Sequence, residues 1–282
     1  MIKEFIKFDE NREDEKRLDN IREEILQLGD IKTITREEVR RIKEKLLAEN
    51  QGFEQEIEFI FSVIDQMVDQ VEYDKLKSEN GGKIEGQVSK RLNTSFAESF
   101  FLETAYIIQN KDNRKYLSNL FDLCQATTEK LKVTKEWQRT KNGLIGQVGV
   151  CNFMERYGLS PRLATPKEDA FMKVDFWGKS EQGETLAVQG KSLRSAERPA
   201  YLDSDSKLEK WLGQEEMRSR KGGNGKVLNS LHKVEEDYRR VKKFCGDQPN
   251  TRTVAIILPS ESLDPINGAL DEKYFENFKL NN

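Results

Sequence analysis

Histidine is nearly missing from this chain: His232 is the only one in 282 residues. A Ser-His-Asp triad or a His-based metal site therefore has almost no material to work with. Cysteine is scarce as well. Cys124, Cys151 and Cys245 are far apart, odd in number and free of any CxxC spacing. That pattern argues against a disulfide framework or a structural zinc, and for a reduced, cytoplasmic protein. No run approaches the ~20 apolar residues needed to span a bilayer, so no membrane partner is expected. The opening residues, Met1-Ile-Lys-Glu-Phe-Ile-Lys, lack the apolar core and cleavage site of a secretory signal.

A net charge of either sign is also lacking. Lys and Arg number 47 against 50 Asp and Glu, a total of −3 that excludes a globally basic protein. The average hides a split. Residues 1–135 carry 23 Lys/Arg against 28 Asp/Glu, whereas residues 187–243 carry 14 against 9. A local polyanion-binding face thus stays open. Charged residues make up 34% and hydrophobic ones 36%, enough for a core and against wholesale disorder. The length fits roughly two domains, at about 150 residues each.

Residues 1–135 read as helix almost throughout. A charged, amphipathic segment over about 9–28 carries Leu18, Ile21, Ile25 and Leu28 as its stripe. Thr35-Arg-Glu-Glu38 is a capping box, followed by Val39, Ile42, Leu46 and Leu47 at helical spacing, with Gly52 as a stop. Ile57, Ile60, Ile64, Met67, Val68 and Val71 mark a more buried helix, broken at Asn80-Gly81-Gly82. Phe96, Phe100, Phe101 and Leu102 enrich a third, and Tyr116, Leu117, Leu120, Phe121 and Leu123 a fourth. These stripes read as helical core or oligomer contact, and none of this half shows chemistry.

After Trp137 the texture changes. A glycine-bearing helix over about 139–157 ends at Gly158, and β-like runs follow at 171–177 and 184–192. A basic, loop-rich stretch leads to a helix over about 226–244 and an apolar strand at Thr253–Leu258. Strands flanked by helices predict an α/β (α+β) domain. The expected division is a helical domain at 1–135, for recognition or oligomerisation, and an α/β domain at 136–282.

The chemistry concentrates in two segments, Met172-Lys-Val-Asp175-Phe-Trp and Val188-Gln189-Gly190-Lys191. On a strand, Asp175 projects opposite Val174 and Phe176, while Ala187, Gln189 and Lys191 share a face. If the two strands pair, Asp175, Gln189 and Lys191 converge at one end of the sheet. A carboxylate, an amide oxygen and an ammonium group there suit a hard divalent cation and a phosphate. The bland alternative is a strand-end ion pair between Asp175 and Lys191.

In these residues the chain resembles the PD-(D/E)XK, or restriction-endonuclease-like, nucleases. Asp175 matches their first acid, and Gln189-Gly190-Lys191 is similar to their tripeptide in the Q-x-K form of Mrr-like and some type II restriction enzymes. Gly143-Leu-Ile-Gly146-Gln147 is similar to the G-x-x-G-E pattern of the preceding helix, with Gln for Glu. The resemblance covers about residues 139–258. It implies a central mixed sheet flanked by helices and a Mg²⁺ (or Mn²⁺)-dependent DNA endonuclease, with a homodimer as the expected assembly. It further implies a catalytic set of Asp175, Gln189, Lys191 and Gln147, with metal ligation by Asp175, Gln189 and Gly190. Two expected carboxylates are amides, so a second acid is sought in Glu155, Glu168 or Asp169.

The basic stretch supports a polyanion. Arg194, Arg198, Arg218, Arg220, Lys221 and Lys226 are the expected nucleic-acid contacts, with a mobile solvated loop as the alternative. Arg239, Arg240, Lys242 and Lys243 offer a phosphate face or simply favour the helix dipole. Trp137, Trp177 and Trp211 read as core. A non-catalytic nucleic-acid-binding protein that kept the fold and lost its acids is the second reading, motivated by Gln147 and Gln189. A nuclease acting on RNA is the third.

Overall fold

The computed structural model describes residues 20–25, 34–82, 86–180, 182–222, 225–245, 248, 250–276 and 278–280. Helix α1 covers 20–25, and Ile21 and Ile25 of its expected stripe are buried; Leu18 and Leu28 lie outside the described residues. Helix α2 (Arg36–Glu49) begins at the expected capping box, with Thr35 accepting from the Glu38 N–H and Glu38 accepting from the Thr35 N–H. Four longer helices follow: α3 (Glu54–Glu79), α4 (Gly86–Asn110), α5 (Arg114–Lys130) and α6 (Thr134–Arg156). Short strand β1 (Arg162–Leu163), helix α7 (Pro166–Met172), β2 (Phe176–Lys179), β3 (Thr185–Leu193) and β4 (Ala200–Leu202) come next. Helices α8 (Asp205–Gly222) and α9 (Gly225–Cys245) precede β5 (Thr251–Pro259).

The result is a mixed α/β protein, with nine helices and a five-stranded sheet among the described residues. The sheet order is β1-β2-β3-β5-β4; β3 and β5 run parallel and every other pair is antiparallel. Helix α6 covers one face, where Leu144, Val148 and Met154 share a core with Leu186, Val188, Val254 and Ile256. That same core runs without a break from Ile21 through α3 and α5 to Phe275. On the other face α8 and α9 bury Leu208, Trp211, Leu231 and Val234 against Ala255 and Ile257. Strand β5 is buried from Thr253 to Pro259, as its continuous apolar run requires.

Two expectations fail here, each for a physical reason. The run at 171–177 is not one strand: α7 occupies Pro166–Met172 and the strand begins only at Phe176. Thr165 and Glu168 form a capping box with Pro166 just inside it, and Lys173 ends the helix in the left-handed region at φ 61°. That turn also breaks the alternation. Val174 packs toward Ala187 and Val241 on the α9 side, whereas Phe176 packs on the α6 side. The basic stretch is not loop-rich either, because Leu208, Trp211 and Leu212 supply a narrow apolar stripe that holds α8. In the α4 stripe, read as core or oligomer contact, Leu102 is exposed, and Phe96 and Phe100 are half-buried.

Cys124, Cys151 and Cys245 are buried and unpaired. Trp137 and Trp211 are core, as expected, and Trp177 is half-buried. Among the described residues no helix is long and apolar enough to cross a membrane.

Candidate active site

The antiparallel register of β2 and β3 sets Phe176 opposite Val188, so Asp175, one step before, falls beside Gln189. The Asp175 N–H donates to the Val188 carbonyl at 2.8 Å, which extends the ladder by one rung. Asp175 Oδ2 accepts from Gln189 Nε2 at 2.8 Å and from the Gly190 N–H at 2.7 Å. Gln147, half-buried on α6, also favours the ionised form of this carboxyl. Asp175 and Gln189 of the expected catalytic set therefore meet in direct contact, and Gln147 lines the same cleft. The fourth, Lys191, lies one pleat beyond Gln189 on the same strand face, and its field favours the ionised form of Asp175.

Lys191 does not form the strand-end pair with Asp175 that was the alternative reading. Its Nζ lies 3.3 Å from Asp237 Oδ2 on α9, and the Asp237 side chain is only 5% exposed. Sequence reasoning missed Asp237. The signal was an acid lying within the apolar stripe of Leu231, Val234, Tyr238 and Val241.

Of the three acids sought for the amide-substituted positions, one lines the cleft that holds Asp175. Glu155 is exposed and paired with Lys111, and Glu168 is held in the α7 capping box. Asp169, on the next position of α7, lines the same cleft as Asp175. Its carboxyl is pushed up to about 7, first by burial and then by the charge of Asp175, while Lys173 and Lys191 act in the opposite sense. Burial also raises Asp175, opposed by Lys191, the Gly190 N–H and Gln147.

The donor set is oxygen only, which suits a hard cation such as Mg²⁺. An ionised carboxylate only accepts hydrogen bonds, so the Gln189 amide must turn its nitrogen to Asp175 and its oxygen away. Gln189 Oε1 and Gln147 Oε1 are both buried without a hydrogen-bond partner. Two orphaned amide oxygens beside two carboxyls fit a cation's need for ligands. Among the described residues no group of three or more His, Cys, Asp or Glu is placed to hold a metal, as the two amides require. Gly190 enters through its N–H to Asp175, and its missing Cβ lets β3 pass under Val150, whose Cγ2 would lie 2.7 Å from that atom.

Asp175 opens onto a cleft of about 1020 Å³ between α4, α6, α7 and the ends of β3 and β5. Lys141, Lys173, Lys191, Arg194 and Arg240 line it, against the two acids Asp169 and Asp175. No acid among the described residues of 1–135 lines it. Arg194 is thus where a phosphate contact was expected. Arg198 and Arg218 do not line this cleft: they share a separate depression with Trp211 and Glu215, and Arg218 lies 2.7 Å from Glu215. Arg220, Lys221 and Lys226 fall on helical backbone of α8 and α9, and their side chains lie outside what is described. Arg240 reaches the cleft while pairing with Glu236 at 2.7 Å. No family model matches this chain, and no curated protein or solved structure shows significant similarity to it.

Proposed function

We propose that this protein is a divalent-metal-dependent endonuclease that hydrolyses phosphodiester bonds in DNA, with a restriction-endonuclease-like core at residues 136–282. One observation carries the reading. The Asp175 carboxylate meets Gln189 and the Gly190 N–H on paired strands, with Lys191 one pleat away, at the floor of a cation-lined cleft. The helix-then-strand order, with β1-β2-β3 antiparallel and β5 parallel to β3, gives further support.

Asp175, Asp169 and the orphaned oxygens of Gln189 and Gln147 would hold the cation. When bound, it supplies charge for the phosphate oxygens and lowers the pKa of a coordinated water. The chain's own groups do the positioning. Asp237 holds the Lys191 ammonium, which can orient the attacking water or a phosphoryl oxygen. Arg194 and the hydroxyl of Ser192 face the same cleft and can bind flanking phosphates.

Plasmid DNA incubated with Mg²⁺ or Mn²⁺ tests the proposal, beside Asp175→Ala and Lys191→Ala. Each substitution is expected to slow cleavage by at least about a hundredfold, as removal of one transition-state contact commonly does. Cleavage that survives both overturns the assignment. A second reading, binding without catalysis, is favoured by the amides at Gln147 and Gln189. It predicts salt-dependent DNA binding and no metal-dependent cleavage by the wild-type protein.

A further inference from the structure

The wall of the cleft facing Asp175 comes from the helical half of the chain, where the sequence shows no chemistry. Phe96 and Phe100 sit one turn apart on α4, and their rings stack at 6.1 Å between centroids and 12° between planes. Both line the cleft and both are half-buried. Phe100 packs against the main core, but Phe96 packs against none of the three apolar cores among the described residues. Behind Phe100 lies the α6 backbone, close enough that a Cβ on Gly143 would stand 3.4 Å from the ring. The amide side chains of Asn93, Gln138 and Asn142 rim the same wall.

A half-buried stack backed by a helix and lining a cleft has one aromatic face to offer. Core packing does not use it. The same cleft carries cations and the candidate catalytic carboxylate, so a ligand lying in it meets cations for its phosphates and an aromatic face for its planar groups. Amides are the side chains that exchange paired hydrogen bonds with base edges. In a duplex, base faces are occupied by neighbouring bases; a ring inside a cleft can stack only on a base that has left the helix.

We infer that Phe96, backed by Phe100, is a stacking platform for an unpaired nucleobase, and that the cleft takes single-stranded or locally unstacked nucleic acid. The inference rests on the polyanion reading of the same cleft. Stacking on an aromatic side chain is sequence-tolerant, so the platform confers preference for strand state rather than for base identity.

Fluorescence anisotropy in EDTA tests it with three short labelled probes of equal length: a single strand, an abasic single strand and a duplex. Wild type is expected to bind the base-bearing strand about tenfold or more tightly than the abasic strand and more tightly than the duplex. Phe96→Ala is expected to lose about tenfold on the base-bearing strand and nothing on the abasic one. Phe96→Trp keeps a stacking face and should retain binding, which separates stacking from misfolding. Equal affinity for base-bearing and abasic strands overturns the inference, as does tighter duplex binding, an equal loss on both strands in Phe96→Ala, or no binding at all. No cleavage enters the readout. Base-dependent binding by a protein that never cuts would sink only the nuclease reading. Cleavage that needs Asp175, with binding indifferent to bases, would sink only this one.

Discussion

At the scale of single residues, the helical half holds a buried acid whose state the geometry dictates. Glu103 on α4 is fully buried, and its carboxyl is held well above the usual carboxylate range by that burial. Its one hydrogen-bond partner, Ser62, has a single proton and two acceptors in reach: the Phe59 carbonyl at 2.7 Å and Glu103 Oε1 at 3.0 Å. A protonated carboxyl resolves the shortage by donating to the Ser62 oxygen. Folding therefore favours the proton-bound form. The associated stability is fully present below the unfolded pKa, near 4.3, and is lost as pH rises toward the raised folded value. Glu103→Gln stays neutral at every pH. Its stability relative to wild type should rise by about 1–3 kcal/mol between about pH 4 and pH 8. Denaturant melts at the two pH values measure it, and a difference that does not change with pH would show that Glu103 is ionised in the folded protein. Nothing in the local sequence announces this, because Glu103 follows an apolar run and looks like an ordinary surface acid.

At the scale of elements, α6 and β3 are fixed by close approach more than by apolar bulk. A Cβ on Gly146 would stand 2.9 Å from Ser192 Cβ, and one on Gly190 would stand 2.7 Å from Val150 Cγ2. The absence of both Cβ atoms lets α6, which carries Gln147, lie close against β3, whose Gly190 N–H donates to Asp175. A valine in a helix is confined to one main rotamer and cannot swing clear, so Gly190→Ala must push strand and helix apart. The expected cost is about 1–3 kcal/mol in a denaturant melt, with Val150→Ala restoring most of it. Gly213, exposed on α8 with nothing within 4 Å of its Cβ position, is the control. Gly213→Ala should stabilise by about 0.5–1 kcal/mol. A Gly190→Ala protein as stable as wild type would show that the helix rides looser than this. The glycines of Gly143-Leu-Ile-Gly146-Gln147 and Gln189-Gly190-Lys191 were visible in the sequence, as were β3, β5, α6 and α9. Helix α7 was hidden because a strand-like run of Phe171, Met172 and Val174 outweighed its Thr165-Pro166-Lys167-Glu168 start. Helix α8 was hidden because three apolar residues among many charges read as loop. The pairing of Asp175 with Gln189 could be reasoned from period two, since two adjacent strands leave few registers. Asp237 and the Phe96 wall could not, because both reach the site only through the packing of α9 and α4.

At the scale of the molecule, the question is which of the many cations a polyanion meets. The sequence clusters them along residues 187–243, but folding deals them onto different surfaces. Arg194 lines the cleft that holds Asp175, together with Lys173 from α7 and Lys141 from α6, which are distant in sequence. Burial draws Lys141 below the usual ammonium range. Arg218 instead faces Glu215 at 2.7 Å and Glu197 at 3.7 Å in another depression. A cation already neutralised by carboxylates releases few counterions when a phosphate arrives. The binding of a short nucleic acid in EDTA, titrated between about 50 and 200 mM salt, should separate the two classes. Arg194→Ala should weaken binding and lower the slope of log affinity against log salt by about one. Arg218→Ala should leave both unchanged, although the two arginines look equivalent in the sequence. A slope that falls for Arg218→Ala and not for Arg194→Ala would place the polyanion path on the α8 surface, away from Asp175, and the cleft would lose its claim to the substrate.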